Sequence, residues 1–173
     1  LDFDIEWLYP AAGSVLSCEI SEEHLDKKLS SMSEKPVAVY ITSPDYLGNV
    51  ADIESIAKVC HKYNVLLLCD NAHGAYRHFL KKSQHPIALG ADMCCDSAHK
   101  TLPVLTGGGY LHINKKAPDI LSKNAKKAMS LFASTSPSYL ILQSLDMANK
   151  YLSEGYIQDL EFCTRRVKML KES

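Results

Sequence analysis

Two rhythms of hydrophobic spacing alternate along the first two thirds of the chain. Short β-branched or leucine-rich runs, "VAVYIT" at 37–42, "VLLLCD" at 65–70, "ADMCCDSA" at 91–98 and "GGYLHI" at 108–113, have the length and composition of strands. Between the first two, Ile53, Ile56, Ala57 and Cys60 fall at i, i+3, i+4 and i+7, the spacing of a helix buried along one face, with Asp52 placed as its N-cap. Strand, helix and strand make a parallel crossover unit. "VLLLCD" is apolar on every side up to its last residue, which predicts a fully buried strand in the middle of a parallel sheet. The connection before the fourth run is too short for a parallel crossover, so that strand is expected to run antiparallel. Upstream, "FDIEWLYP" at 3–10 predicts a further strand ending at Pro10. A helix is expected from about Ser21, with Glu22 and Glu23 in its first turn, where they suit the helix dipole.

Beyond residue 115 the pattern turns helical. "APDILSKNAKKAMSLF" reads as one helix and "SPSYLILQSLDMANKYLSEG" as another, with Ser136 as N-cap, Pro137 at the first helical position and Gly155 as the stop. Apolar residues surround most of that second helix, which predicts deep burial or a subunit interface. "YIQDLEFCTRRVKML" sets Leu160, Cys163, Val167 and Leu170 on one face of a last helix. Together these elements predict an α/β fold with a mostly parallel sheet.

Composition then removes several classes of function. Basic and acidic residues nearly balance, 19 against 20, and no basic stripe interleaves with aromatics, so neither nucleic acid nor an anionic membrane is an expected partner. No apolar run reaches the roughly 20 residues that span a bilayer, and "LDFDIEWLYP" resembles no secretory leader; a cytoplasmic protein is expected. The six cysteines lie mostly inside apolar segments and form no CxxC pair, which predicts reduced, buried thiols and no zinc framework.

In open α/β sheets ligands bind beyond the carboxyl ends of the parallel strands. The residues there are Thr42 to Pro44, Asp70 to Gly74 and Ser97 to Lys100. Adjacent strands stand about 4.8 Å apart, so Asp70 and Lys100 can reach one small ligand. Asp70 emerges from a dry run, where a carboxylate needs a cation or several donors; it can also serve as the N-cap of the next helix. His73 taken alone reads more readily as a satisfied structural histidine. Lys100, flanked by His99 and Thr101 at the mouth of a strand, is expected to be desolvated, which favours the neutral amine that attacks a carbonyl. Pyridoxal phosphate needs such a lysine, and also a carboxylate that keeps its ring nitrogen protonated, a need Asp70 answers. Ser97 and His99 can donate to its phosphate, and His73 can meet the ring.

The runs "ITSPDYLGNVADIESIAKVCHKYNVLLLCDNAHGAY", "GADMCCDSAHKTLPVLTGGGYLHI" and "STSPSYLILQSLD" resemble the Orn/Lys/Arg decarboxylase family of fold type I (aspartate-aminotransferase-like) pyridoxal-phosphate enzymes, over about residues 37–146. The resemblance implies a three-layer sandwich, with 1–155 as the second half of the cofactor-binding large domain and 156–173 as the start of a linking helix to a C-terminal domain. It implies a lyase that decarboxylates lysine, arginine or ornithine, with little activity in this fragment alone. Lys100 then carries the cofactor, Asp70 pairs with its ring nitrogen, His73 lies against the ring, and Ser97 and His99 help hold the phosphate. A homodimer is implied too, with Ser134 to Ser136 reaching the partner's site. Asn71 stands where the family usually has an acid, and little is expected of it; Asp45 stands where threonine is usual and adds a negative charge near the rim. Three other readings stay open: transamination on the same fold, a non-catalytic module docking through the helix at 137–152, and a metal site using His73, His78 and Cys94 or Cys95. Adjacent cysteines on a strand point apart, which counts against the last.

Overall fold

A computed structural model describes residues 3–10, 19–132 and 136–172. Among them four strands, β1 (Ala38–Thr42), β2 (Leu66–Asp70), β3 (Met93–Asp96) and β4 (Tyr110–Ile113), form one sheet in the order β1-β2-β3-β4. β1, β2 and β3 are parallel, and β4 returns antiparallel to β3. The register matches Thr42 with Asp70, Asp70 with Cys95 and Asp96 with Tyr110, so the ends of β1, β2 and β3 share one rim.

Alternation along each strand gives the sheet two unlike faces. Val39, Ile41, Leu67, Cys69 and Cys94 point into the main core, beneath α1 (Glu22–Ser31) and α2 (Ile53–Lys62). Ser21 caps α1 by accepting from His24 N–H, and Asp52 caps α2 by accepting from Ser55 N–H. The apolar stripe of α2 buries Ile53, Ile56, Ala57 and Cys60 as its spacing requires, each isoleucine contributing about 2 kcal/mol of transfer free energy. Tyr40, Leu66, Leu68, Asp70, Met93 and Cys95 project to the other face, which is half-buried or exposed. β2 therefore alternates between buried and half-buried positions instead of being covered on both sides.

A second, smaller core gathers Ala75, Ala98, Leu102 and Tyr156 from a 3-10 segment (Ala75–Phe79), α3 (Ala98–Thr101) and α6 (Tyr156–Glu172), with Leu145 and Leu152 of α5 (Tyr139–Glu154) against it. α4 (Asp119–Ser130) buries none of its residues.

Two expectations are corrected and a third is narrowed. Residues 3–10 form no strand: Phe3, Ile5 and Trp7 are exposed, while Leu8 touches the core and Glu6 accepts from Lys28. Alternation marks a two-faced segment, but without a neighbouring ladder it does not make a strand. Ser138, not Ser136, caps α5 by accepting from Ile141 N–H, which leaves Pro137 outside the helix. α5 buries only Ala148, and Tyr139, Leu140 and Met147 stand in the open, so of its two expected settings deep burial within this chain is set aside and a subunit interface stays open. Of the cysteines described, Cys60, Cys69 and Cys94 are buried, as expected, whereas Cys95 and Cys163 are exposed.

Candidate functional site

The parallel rim brings the sequence candidates together. Asp70 ends β2; β3, beside it, runs straight into Ser97 and α3, which carries His99 and Lys100. This four-residue helix places Lys100 at the rim; the sequence pattern shows no such element. A turn after β2 returns His73 to the same place, with Nε2 3.2 Å from Lys100 Nζ. The turn is tight because Gly74 packs directly on Asn71: a Cβ there would collide with Asn71 Oδ1 and stand 2.8 Å from Pro44 Cδ.

Asp70 faces the open side of the sheet. Its Oδ1 accepts from Ala72 N–H at 3.0 Å and its Oδ2 from Tyr40 O–H at 3.3 Å. Burial and the neighbouring Asp70 charge push the Tyr40 phenol up to about 12, so it stays a donor throughout the physiological range. Cys95 lies on the same face, its Sγ 3.9 Å from Asp70 Oδ1, and burial followed by the Asp70 charge raises its thiol. Lys100, expected to be desolvated, is exposed among the described residues. Tyr46 lies beside it, with the ring centroid 5.9 Å from Nζ and 4.9 Å from the His73 ring. Ser97 and His99 are half-buried at the start of α3, and Ser97 makes no side-chain cap bond there.

Asp45 carries the negative charge expected of it, tied into its own loop. Its carboxylate accepts from Leu47 N–H, Asn49 N–H and Asn49 Nδ2, bonds that hold it below the usual carboxylate range and brace the loop bearing Tyr46. Among the described residues four buried side-chain atoms lack a hydrogen-bond partner, Asn71 Oδ1, His73 Nδ1, Arg77 Nη1 and Thr101 Oγ1, and two of these belong to His73 and to the neighbour of Lys100. Buried donors and acceptors are rarely left so, and the one on His73, beside Lys100, fits a polar ligand there.

Behind this site, on the buried face, lies a cluster that sequence reasoning missed. Asp96 accepts from Asn71 Nδ2 at 2.7 Å, His85 Nε2 at 3.0 Å and His112 Nε2 at 3.1 Å. Burial alone would raise its carboxyl, but the hydrogen bonds from His112, His85 and Asn71 hold it well below the ordinary range. The signal was an acid inside "MCCDSA", on a buried strand where it must find donors. His85, Asp96 and His112 bring ligand-type atoms within 4.8 Å of one another. The bonding, however, is that of donors around a carboxylate: Ile87 N–H occupies His85 Nδ1, which puts the ring proton on Nε2, facing Asp96. The metal ligands considered from sequence do not assemble either: His73 belongs with Lys100, His78 packs on His85, and Cys94 and Cys95 point to opposite faces. Ser134 and Thr135 lie outside the described residues.

A family model described as Orn/Lys/Arg decarboxylase, major domain, matches residues 8–171. An uncharacterized protein, YaaO, of Bacillus subtilis is 37% identical over 137 residues, covering 77% of this chain and 28% of its own length. An arginine decarboxylase of Bacillus cereus is 33% identical over 133 residues, covering 76% and 26%. The chain thus spans about a quarter of the length of these relatives. Among solved structures, a serine palmitoyltransferase from S. paucimobilis with bound PLP and myriocin superposes with a TM-score of 0.61 at 17% identity, covering 79% of this chain and 36% of that one. That likeness concerns the fold, an α/β large domain with a mostly parallel sheet.

Proposed function

Because this chain belongs to the Orn/Lys/Arg decarboxylase family, we propose that it is the central part of a pyridoxal-phosphate-dependent lyase that removes the α-carboxylate of arginine, lysine or ornithine to leave the amine. The observation that carries the reading is the convergence of Lys100, His73 and Asp70 on one rim, with partnerless polar atoms on His73 and Thr101 beside them. Those atoms, and an open sheet face in front of Asp70, fit a planar, polar, phosphorylated ring.

In this reading Lys100 Nζ holds the cofactor's aldehyde carbon and Asp70 keeps the pyridine nitrogen protonated. When bound, the protonated ring supplies the electron sink that takes up the pair left by departing carbon dioxide. Tyr40 keeps Asp70 turned toward the open face by donating to its Oδ2. His73 Nε2, at 3.2 Å from Nζ, is within hydrogen-bond distance to take a proton from the amine or return it. Ser97 and His99 offer a hydroxyl and an imidazole to the phosphate at the start of α3. Residues 1–155 form the second half of the large domain, and α6 begins the link to a further domain. The exposed apolar side chains of α5 belong to a homodimer interface, and the enzyme works in the cytoplasm.

The test uses full-length protein. Addition of pyridoxal phosphate gives a visible absorption band that Lys100→Ala abolishes, and basic amino acids yield carbon dioxide and amine in equal amounts. Release of the keto acid instead of carbon dioxide replaces decarboxylation with transamination, and a band that survives Lys100→Ala removes the assignment.

A further inference from the structure

Asn71 and Asp96 sit directly behind the candidate site, and neither opens onto its exposed rim. Asn71 is wholly buried and Asp96 is 6% exposed. A carboxylate at that depth is costly unless donors surround it, and an apolar residue of similar size would be the cheaper filling. What distinguishes Asp96 is what its bonds join: the end of β2 through Asn71, the loop before β3 through His85, and β4 through His112. Asn71 directly follows Asp70, and Asp96 directly precedes Ser97.

The sheet ladder stops short of this point. Its last pair between β2 and β3 is Asp70 with Cys95. Beyond it the two chains part into the His73 turn and α3, joined by the Asn71 N–H to Cys95 C=O bond at 2.9 Å and by the Asn71–Asp96 side-chain bond at 2.7 Å. The same Asn71 amide is the surface on which Gly74 packs, so its orientation also sets the turn that carries His73.

We propose that Asp96, acting through Asn71, is a positioning residue for the reaction: their amide–carboxylate bond clamps the ends of β2 and β3 and so fixes the Asp70 carboxylate and the His73 turn relative to Lys100. The proposal rests on the reading that Asp70 and Lys100 hold pyridoxal phosphate. The neighbouring histidines keep Asp96 ionised, and Asp96 keeps the Asn71 nitrogen pointing across the gap.

Four forms of the full-length protein test it: wild type, Asn71→Asp, Asp96→Asn, and the exchange of both. Three quantities are read, namely cofactor affinity from the Lys100-dependent band, the pH at which that band shifts, and the melting temperature without cofactor. Asn71→Asp sets two carboxylates face to face, and Asp96→Asn turns an amide N–H toward a ring N–H. Each is expected to weaken cofactor binding about 10-fold and to move the band's pH dependence. The Asn71→Asp loss shrinks as pH falls, because protonation of the introduced carboxyl restores a donor at that position. The exchanged pair restores donor and acceptor in the opposite sense and returns affinity to within about threefold of wild type. If Asn71→Asp does not fold, Asp96→Asn and the exchange carry the comparison. Variants whose melting shifts while affinity and band pH stay at wild-type values overturn the proposal. So does an exchange that rescues nothing. A wild type without a Lys100-dependent band removes the reading of the site, and this proposal with it.

Discussion

At the scale of single residues, the site depends on close approach as much as on charge. Gly74 has no room for a side chain between Asn71 Oδ1 and Pro44 Cδ. Gly74→Ala is therefore expected to destabilise the full-length protein by about 1–3 kcal/mol and to displace His73, measured as a lower melting temperature together with weaker cofactor binding. Asp96 makes a prediction of opposite character. Its folded carboxyl is held below its unfolded value near 4, so its stabilisation is complete above about pH 4 and is lost as pH falls toward the folded value. Melting temperature against pH should accordingly fall below about pH 4 in the wild type and more shallowly in Asp96→Asn. The candidates at the rim, Asp70, His73, Ser97, His99 and Lys100, stand out in the sequence because strand ends place chemistry at fixed positions, and the structure sets Lys100 beside His73. The buried partners do not stand out. His85 and His112 reach Asp96 from 11 residues before it and 16 after, through a loop and an antiparallel pairing whose register no local pattern states.

At the scale of elements, legibility followed whether a pattern alone suffices to make the element. The α2 stripe and its Asp52 cap are self-contained, and the structure keeps both. Asp52→Ala is expected to cost about 1 kcal/mol and Ile56→Ala about 3 kcal/mol, read from thermal or denaturant melting of the full-length protein. The gap between the two values separates the loss of one cap bond from a cavity in the main core. Residues 3–10 show the converse, since a strand requires a partner as well as alternation. α3 was invisible for a third reason: four residues are too few for any helical period to register. Yet that short turn matters most to the proposed site, because it brings Lys100 from the end of β3 to within 3.2 Å of His73.

At the scale of the whole molecule, the sheet has one face under α1 and α2 and another on which Tyr40, Cys95 and, at its rim, Lys100 stand open among the described residues. On the proposed reading, a ring held by Lys100 and Asp70 would cover that open side, where Cys95 Sγ stands 3.9 Å from Asp70 Oδ1. This gives the site a chemical reporter separate from turnover. Cys95 and Cys163 are the exposed thiols among those described, while Cys60, Cys69 and Cys94 are buried, with burial pushing Cys60 and Cys69 up to about 12. In cofactor-free full-length protein a small thiol reagent is expected to label Cys95, slowly because burial and the Asp70 charge raise its pKa, and faster as pH rises. Pyridoxal phosphate should suppress that labelling and leave Cys163 unchanged, as mapped by peptide mass spectrometry. Lys100→Ala should lose most of the protection, since the covalent hold on the ring is gone. Equal labelling of Cys95 with and without cofactor would place the ring elsewhere, and with it the chemistry assigned to this rim.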